Sequence, residues 1–276
     1  MKGNLYIVST PIGNLSDISY RAVEILNFVD IVLAEDTRHT KILLSHYQIE
    51  NKIESFHEHN ENSSLKGIHK LLEQGLNIAL VSDAGTPLIN DPGFKLVSLA
   101  KENNIPVIPI PGPSSPIVAL SVSGMPTDRF SFMGFVPTKN SERAAFLKRA
   151  DLIGGSVIFF ESPKRVLKTV ESIYELFGPN RQLCIAKELT KSFETVITSS
   201  VERIIEFLNE SPEHQKGEFV IILEGIKEPS TDEKMQLLQT ILPHIIKEMP
   251  PSKAAKLAAK ITKLNKEVCY EAIKEL

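Results

Sequence analysis

The chain has 276 residues, of which 42% are hydrophobic and 24% charged, and it carries a formal net charge of −3. That length predicts about two domains, each able to bury a core, and the charge balance excludes a global basic field, so any contact with nucleic acid has to come from a local patch. Cys184 and Cys269 lie far apart and fit neither a disulfide framework nor a zinc-ligand spacing, and no apolar run approaches membrane-spanning length.

In chain order, strand-like runs at 5–9, 31–34, 78–81 and 107–110 alternate with helical stretches at 20–27, 65–74 and 94–102. This alternation predicts a parallel sheet with crossover helices. The first run begins after only four residues, which leaves no room for a signal peptide, and a cytoplasmic protein is expected. Pro106, Pro109, Pro111, Gly112 and Pro113 then punctuate the chain, so a first α/β domain is expected at 1–113. A second set of strand-like runs at 130–134, 157–161, 183–187 and 219–223, with helical stretches at 166–177 and 201–208, predicts a second α/β domain at 114–226. Two α/β layers facing each other leave a cleft. After Gly225 the pattern is helical only, 233–247 and then 252–276 in two pieces, which predicts a small helical tail at 227–276. Lys253, Lys256, Lys260 and Lys263 share one side of a tail helix, and Ala254, Leu257, Ala258 and Ile261 share another. Such a stripe either meets RNA phosphates or is the solvated face of a packed helix.

The densest motif follows the run at 78–81: Ser82-Asp83-Ala84-Gly85-Thr86-Pro87-Leu88-Ile89-Asn90-Asp91-Pro92-Gly93. Ligands of open α/β sheets sit beyond the carboxyl ends of the strands, where glycines let the backbone approach them and prolines restrict the loop. Ser9-Thr10-Pro11-Ile12-Gly13-Asn14-Leu15 holds one glycine, so the three-glycine dinucleotide fingerprint is absent, as is the phosphate loop ending in Lys-Ser/Thr. Glu35-Asp36-Thr37-Arg38-His39 follows the second strand. There Asp36 can cap the next helix and Glu35 can pair with Arg38, or the group can bind a polar substrate and shift a proton. His57 and His59 stand at strand spacing and would share a face, but no third metal ligand accompanies them, and no metal is expected. Pro111-Gly112-Pro113-Ser114-Ser115 reads as a helix N-terminus, capped by Ser114 or open to a ligand.

Together with His59-Asn60-Glu61, Gly134-Phe135-Val136-Pro137, Glu161-Ser162-Pro163 and Leu189-Thr190-Lys191, these segments resemble, in this order and over nearly the whole chain, the tetrapyrrole-methylase superfamily. The likeness is strongest to its ribosomal branch, which 2′-O-methylates a cytidine of 16S rRNA at the decoding region. The resemblance implies two α/β/α domains with S-adenosylmethionine in the cleft between them, a homodimer, and 16S rRNA or the small ribosomal subunit as partner. Carried over by position, donor contacts fall on Thr10, Pro11, Asp83, Ala84, Gly85, Thr86, Pro87, Leu88, Ile89, Ser114, Ser115, Phe160, Glu161, Leu189, Thr190, Phe219 and Val220. Glu35, Asp36, Arg38, His59, Asn60 and Glu161 are expected to face the nucleotide, with Arg38 and Lys191 orienting phosphate and the four tail lysines touching RNA. Ser115 and Asn90 depart from the Ala and Ser that relatives often carry. Two alternatives stay open: a C-methyltransferase of a tetrapyrrole such as uroporphyrinogen or precorrin, and a non-catalytic donor- or RNA-binding module.

Overall fold

The computed structural model describes residues 2–225 and 231–274; Met1, residues 226–230 at the expected start of the tail, and 275–276 at its end lie outside the described residues. The chain divides into two compact units, Met1–Gly225 and Ile226–Leu276.

In the first unit, β1 (Leu5–Val8), α1 (Tyr20–Phe28), β2 (Ile31–Ala34), α2 (Thr37–His46), β3 (Ile53–Ser55), α3 (Glu61–Glu73), β4 (Ile78–Val81), α4 (Phe94–Glu102) and β5 (Val107–Ile110) build an all-parallel sheet with its crossovers. The strand order is β3-β2-β4-β1-β5. Every residue of β2 and β4 is buried, because helices on both faces of a parallel sheet require strands that are apolar on both sides. Side chains alternate between two cores, with Tyr6, Val8, Val32 and Ala34 on one face and Leu5, Leu33, Phe56 and Leu80 on the other. Parallel strands bring the loops after β1, β2, β4 and β5 to one end of the sheet, where ligand sites form.

After α5 (Ser115–Val122) come β6 (Phe130–Phe135), α6 (Asn140–Ile153), β7 (Ser156–Glu161), α7 (Val166–Phe177), β8 (Gln182–Lys187), β9 (Thr195–Ser200), α8 (Val201–Glu210) and β10 (Phe219–Leu223). This second sheet has the order β6-β7-β10-β8-β9 and is mixed: β6 runs parallel to β7, while β10 is antiparallel to both β7 and β8. One face packs on α6, α7 and α8 through Phe146, Val170 and Ile204. The other, with Ile158, Cys184, Val220 and Ile222, packs on Ala119 and Leu120 of α5 and on Ile12 from the loop after β1, so the two layers share a core.

Beyond the expected runs, the structure adds the edge strands β3 and β9 and the helix α6. Both strands are half exposed, and Glu54, Ser55, Thr195 and Thr198 weaken their apolar pattern. In α6 the buried face includes Arg143, whose guanidinium donates to Ser172 Oγ at 3.0 Å and Asn140 Oδ1 at 2.7 Å. A buried cation breaks the apolar periodicity a sequence reading follows.

The second unit packs α9 (Thr231–Glu248), α10 (Pro251–Thr262) and α11 (Lys266–Lys274) around Leu238, Leu242, Ala255, Ala258 and Cys269. Lys253, Lys256, Lys260 and Lys263 are all exposed. The expected apolar stripe needs correction: Ala254, Ala255, Ala258 and Thr262 turn inward, whereas Leu257 and Ile261 remain exposed beside the lysines. Small side chains let α10 approach its neighbours closely, and the larger ones lie outside that contact. Among the described residues, no helix is long and apolar enough to cross a membrane.

Candidate active site

Three loops are tied together at the carboxyl end of the first sheet. Thr10 and Gly85 exchange backbone hydrogen bonds of 2.8 and 3.1 Å, which staples the loop after β1 to that after β4. Thr10 Oγ1 donates to Ser82 O at 3.2 Å, and Thr86 Oγ1 donates to Pro113 O at 3.0 Å, which brings in the loop after β5. Between Ser82 and Phe94 the backbone is left-handed at Gly85 (φ 82°), Leu88 (74°), Asn90 (68°) and Gly93 (129°). Asn tolerates that region better than most residues, which accounts for Asn90 in a position where Ser would be less at ease.

Against these loops stands the second sheet, and between them lies a cavity of about 440 Å³. Of the expected donor residues, Asp83, Ala84, Gly85, Thr86, Ile89, Ser114, Ser115, Phe160, Glu161, Leu189, Phe219 and Val220 line it. Glu35 and Asp91 share its wall, and Phe135, 57% exposed, stacks edge-on against Phe160 with ring centroids 5.2 Å apart. A second cavity of about 370 Å³ adjoins it, with Ile12, Asp83, Ala84 and Glu218 common to both. Thr10 and Pro11 line this second cavity rather than the first, together with His39 and Lys191. Pro87, Leu88 and Thr190 line neither. Leu88 packs into the core of the first sheet, and the Thr190 hydroxyl accepts the Asn14 N–H at 3.1 Å.

The first-sheet wall is short of positive charge. Burial, and then the carboxylates of Asp91, Asp83 and Asp36, push Glu35 up to about 7. Burial also raises Asp91 to about 6 against a hydrogen bond from Ser82, with Asp83 adding to the rise. Asp36 is held well below the usual carboxylate range by Arg38, whose Nη2 donates to Oδ2 at 2.6 Å while the Arg38 N–H caps onto Oδ1 at 2.8 Å. The capping reading of Asp36 therefore holds. The Glu35–Arg38 pair does not form; the neighbouring carboxylate, which begins the same helix, takes the guanidinium.

The second-sheet wall is compensated. Glu161 is 3% exposed, and its carboxylate accepts the Thr169 hydroxyl at 2.6 Å and the Ser162 N–H at 2.7 Å and pairs with Arg165 at 2.7 Å. These bonds fasten the start of α7 to the end of β7. Lys191 bridges Glu188 at 3.1 Å and Glu218 at 2.9 Å. Burial favours a higher pKa for Glu188, but the Glu218 N–H and Lys191 outweigh it and hold the carboxyl low.

Several expected residues stand elsewhere. His57 and His59 lie in the turn after β3, not on a strand; their rings meet edge-on at 5.9 Å, and neither lines either of these two cavities. Asn60 builds that turn, accepting the His57 N–H at 2.8 Å and donating to Ser55 O at 2.9 Å. Arg38 lies outside both cavity walls, and Ser114 makes no capping bond to α5. Among the described residues, Asp36, His39 and Asp83 bring one ligand atom each within 4.8 Å of one another. Asp36 is occupied by Arg38, and Asp83 Oδ1 accepts the Asp36 N–H at 2.9 Å, so internal bonds explain that grouping. Asp91, Phe135 and Glu218 are wall residues to which the sequence reading gave no role. For Asp91 the signal was present, a carboxylate within the ligand loop ahead of Pro92-Gly93.

The model of the family Tetrapyrrole (Corrin/Porphyrin) Methylases matches residues 4–205. The protein named ribosomal RNA small subunit methyltransferase I of Escherichia coli O157:H7 is 44% identical over 98% of this chain and 94% of its own, and that of Haemophilus influenzae is 43% identical over 98% and 96%. Among solved structures, diphthine synthase (TM-score 0.62, 13% identity, 80% of this chain and 90% of that one) shares the fold. So does uroporphyrin-III-C-methyltransferase from Thermus thermophilus (TM-score 0.56, 16% identity, 81% and 94%). The chain belongs to the tetrapyrrole methylase family and, within it, to the ribosomal RNA small subunit methyltransferase I group.

Proposed function

We propose that this protein transfers a methyl group from S-adenosylmethionine to the ribose 2′-hydroxyl of a cytidine in 16S rRNA, at the decoding region of the small subunit, acting in the cytoplasm as a homodimer. The observation that carries the reading is the pair of adjoining cavities with a common wall. A transfer between two bound molecules needs two sites that meet, and much of its rate can come from holding the reacting atoms in line.

The larger cavity fits the donor: Phe160, Ile89, Val220 and Leu189 offer apolar surface, Ser114 and Ser115 offer hydroxyls, and Asp83, Asp91 and Glu35 suit a cationic ligand. S-adenosylmethionine bound there supplies an electrophilic methyl group. The smaller cavity takes the acceptor nucleotide, with His39 and Lys191 on its wall to meet phosphate. Glu35 lines the donor cavity next to Asp83, which both cavities share, and accepts the hydroxyl proton where they meet; with its carboxyl raised to about 7, it suits general base catalysis near neutral pH. Asp83, common to both cavities, orients the backbone of Asp36 through their 2.9 Å hydrogen bond and so fixes the Glu35-Asp36 turn. Glu161 acts by fixing α7 rather than by touching the nucleotide. The two sheets serve as domains 1–113 and 114–226, and the tail from 227 supplies RNA contact through its four exposed lysines.

The test is labelled methyl transfer to small subunits purified from cells lacking this enzyme, beside naked 16S rRNA and a tetrapyrrole precursor. Label recovered as 2′-O-methylcytidine supports the reading. Label on the tetrapyrrole alone overturns it, and donor binding without transfer to any acceptor points to a binding module.

A further inference from the structure

Glu61 stands at the start of α3, is 7% exposed and lines neither active-site cavity. Its Oε1 accepts the Gly93 N–H at 3.1 Å, a buried bond, and its Oε2 lies 3.6 Å from Lys95 Nζ. Gly93 ends the ligand loop and opens α4, so one carboxylate serves the first turn of α3 and the entry to α4, where negative charge is favoured.

The loop it fastens stores strain. Leu88 and Asn90 hold left-handed backbone, a conformation that persists only where the surroundings impose it. At Gly93, a Cβ would come within 2.6 Å of Leu80 Cδ2, so the backbone presses directly on the core. Upstream the loop is fixed at Gly85 by Thr10 and at Thr86 by Pro113. Downstream, Asp91 itself is tied to Ser82, and two residues further on the Glu61 carboxylate anchors the backbone at Gly93.

We propose that Glu61 is a positioning residue: by holding Gly93 it maintains the strained 88–93 loop and keeps Asp91 beside Glu35 on the donor cavity wall. This deepens the reading of Glu35 as the base and rests on it for its catalytic consequence. The charged groups facing Glu35 are Asp36 on its own segment and Asp83 and Asp91 on the ligand loop, with Arg38 of α2 engaged by Asp36. Glu61 is not among the charges that act on Glu35 or Asp91, so its influence runs through the backbone.

The experiment follows the Glu35 carboxyl by ¹³C NMR titration in the full-length protein, alongside the pH profile of methyl transfer to small subunits. In Glu61→Ala, the loosened loop lets Asp91 recede, and the Glu35 midpoint falls by about 0.5–1 unit, the size expected when a like charge moves a few ångströms away in a partly solvated site. The acid limb of the rate profile moves with it. Glu61→Gln keeps an oxygen for the Gly93 N–H and keeps the wild-type midpoint and limb. Glu61→Asp, which retains the charge but cannot reach, titrates like Glu61→Ala and serves if the alanine variant does not fold. An unmoved midpoint in a folded Glu61→Asp or Glu61→Ala protein, or an equal shift in Glu61→Gln, overturns the proposal. Full turnover in Glu35→Gln refutes the base assignment instead, and the titration still decides the role of Glu61.

Discussion

The two walls of the donor cavity treat their carboxylates in opposite ways. On the first-sheet side, Glu35, Asp83 and Asp91 crowd together while Arg38, the nearby guanidinium, is taken by Asp36. On the second-sheet side, Glu161 holds Arg165, Thr169 and the Ser162 N–H, and Glu218 pairs with Lys191 of the adjoining cavity. A carboxylate whose bonds are complete gains nothing by taking a proton; one surrounded by like charge and partly desolvated does. The first wall thus holds carboxyls raised by burial and like charge, while on the second Glu161 is bonded into the frame of β7 and α7.

The largest effect expected from this division is on turnover. Glu35→Gln should lower methyl transfer by roughly 10²–10⁴-fold with donor affinity retained, measured by single-turnover kinetics and calorimetry. Equal loss of donor binding would make Glu35 a binding group and remove the contrast. Next, Glu161→Ala should cost about 3 kcal/mol of stability in denaturant unfolding, because it strands Arg165 in a largely buried position. If Glu161→Gln instead abolishes turnover at unchanged stability, the second wall takes part in the chemistry.

A smaller effect concerns pH. Glu35 rises from 4.5 to about 7 on folding, so the native state binds more protons than the unfolded chain between those values, and stability falls as pH rises through them. Relative to wild type, Glu35→Gln should gain about 1 kcal/mol at pH 8 after allowance for solvent screening, and nothing at pH 4. A pH-independent difference would show that the negative field at this wall is already neutralised. The smallest effect lies outside the cavity. Replacing Lys253, Lys256, Lys260 and Lys263 with alanine should weaken binding to small subunits and reduce the salt slope by about one for each phosphate that a lysine had neutralised, with donor binding unchanged. An unchanged slope makes the stripe a solvated face.

Much of the fold could be read from particular runs. Ile31-Val32-Leu33-Ala34 and Ile78-Ala79-Leu80-Val81 are apolar on both faces, which only a covered parallel strand requires, and both appear at the expected bounds. Short edge strands such as Ile53-Glu54-Ser55 were not legible, since their pairing is backbone to backbone and their side chains half exposed. For the site, Gly, Pro and carboxylates after β4 marked the ligand loop, because a backbone that must approach a ligand leaves its need for those residues in the sequence.

What the sequence could not determine is which carboxylates carry free chemistry and which are committed. Glu35 follows a strand and Glu161 ends one, each precedes a cation three or four positions on, Arg38 and Arg165 respectively, and by local pattern they are close to alike. Asp36 intercepts Arg38, whereas Arg165 folds back onto Glu161, and Asp91 arrives beside Glu35 from a loop more than fifty residues away. The sequence by itself determined the alternating layers and the loops that gather at the sheet edge, because periodicity and turn chemistry are local. Only the tertiary structure decided the charge state of the walls, because desolvation and like-charge proximity depend on groups brought together from distant parts of the chain.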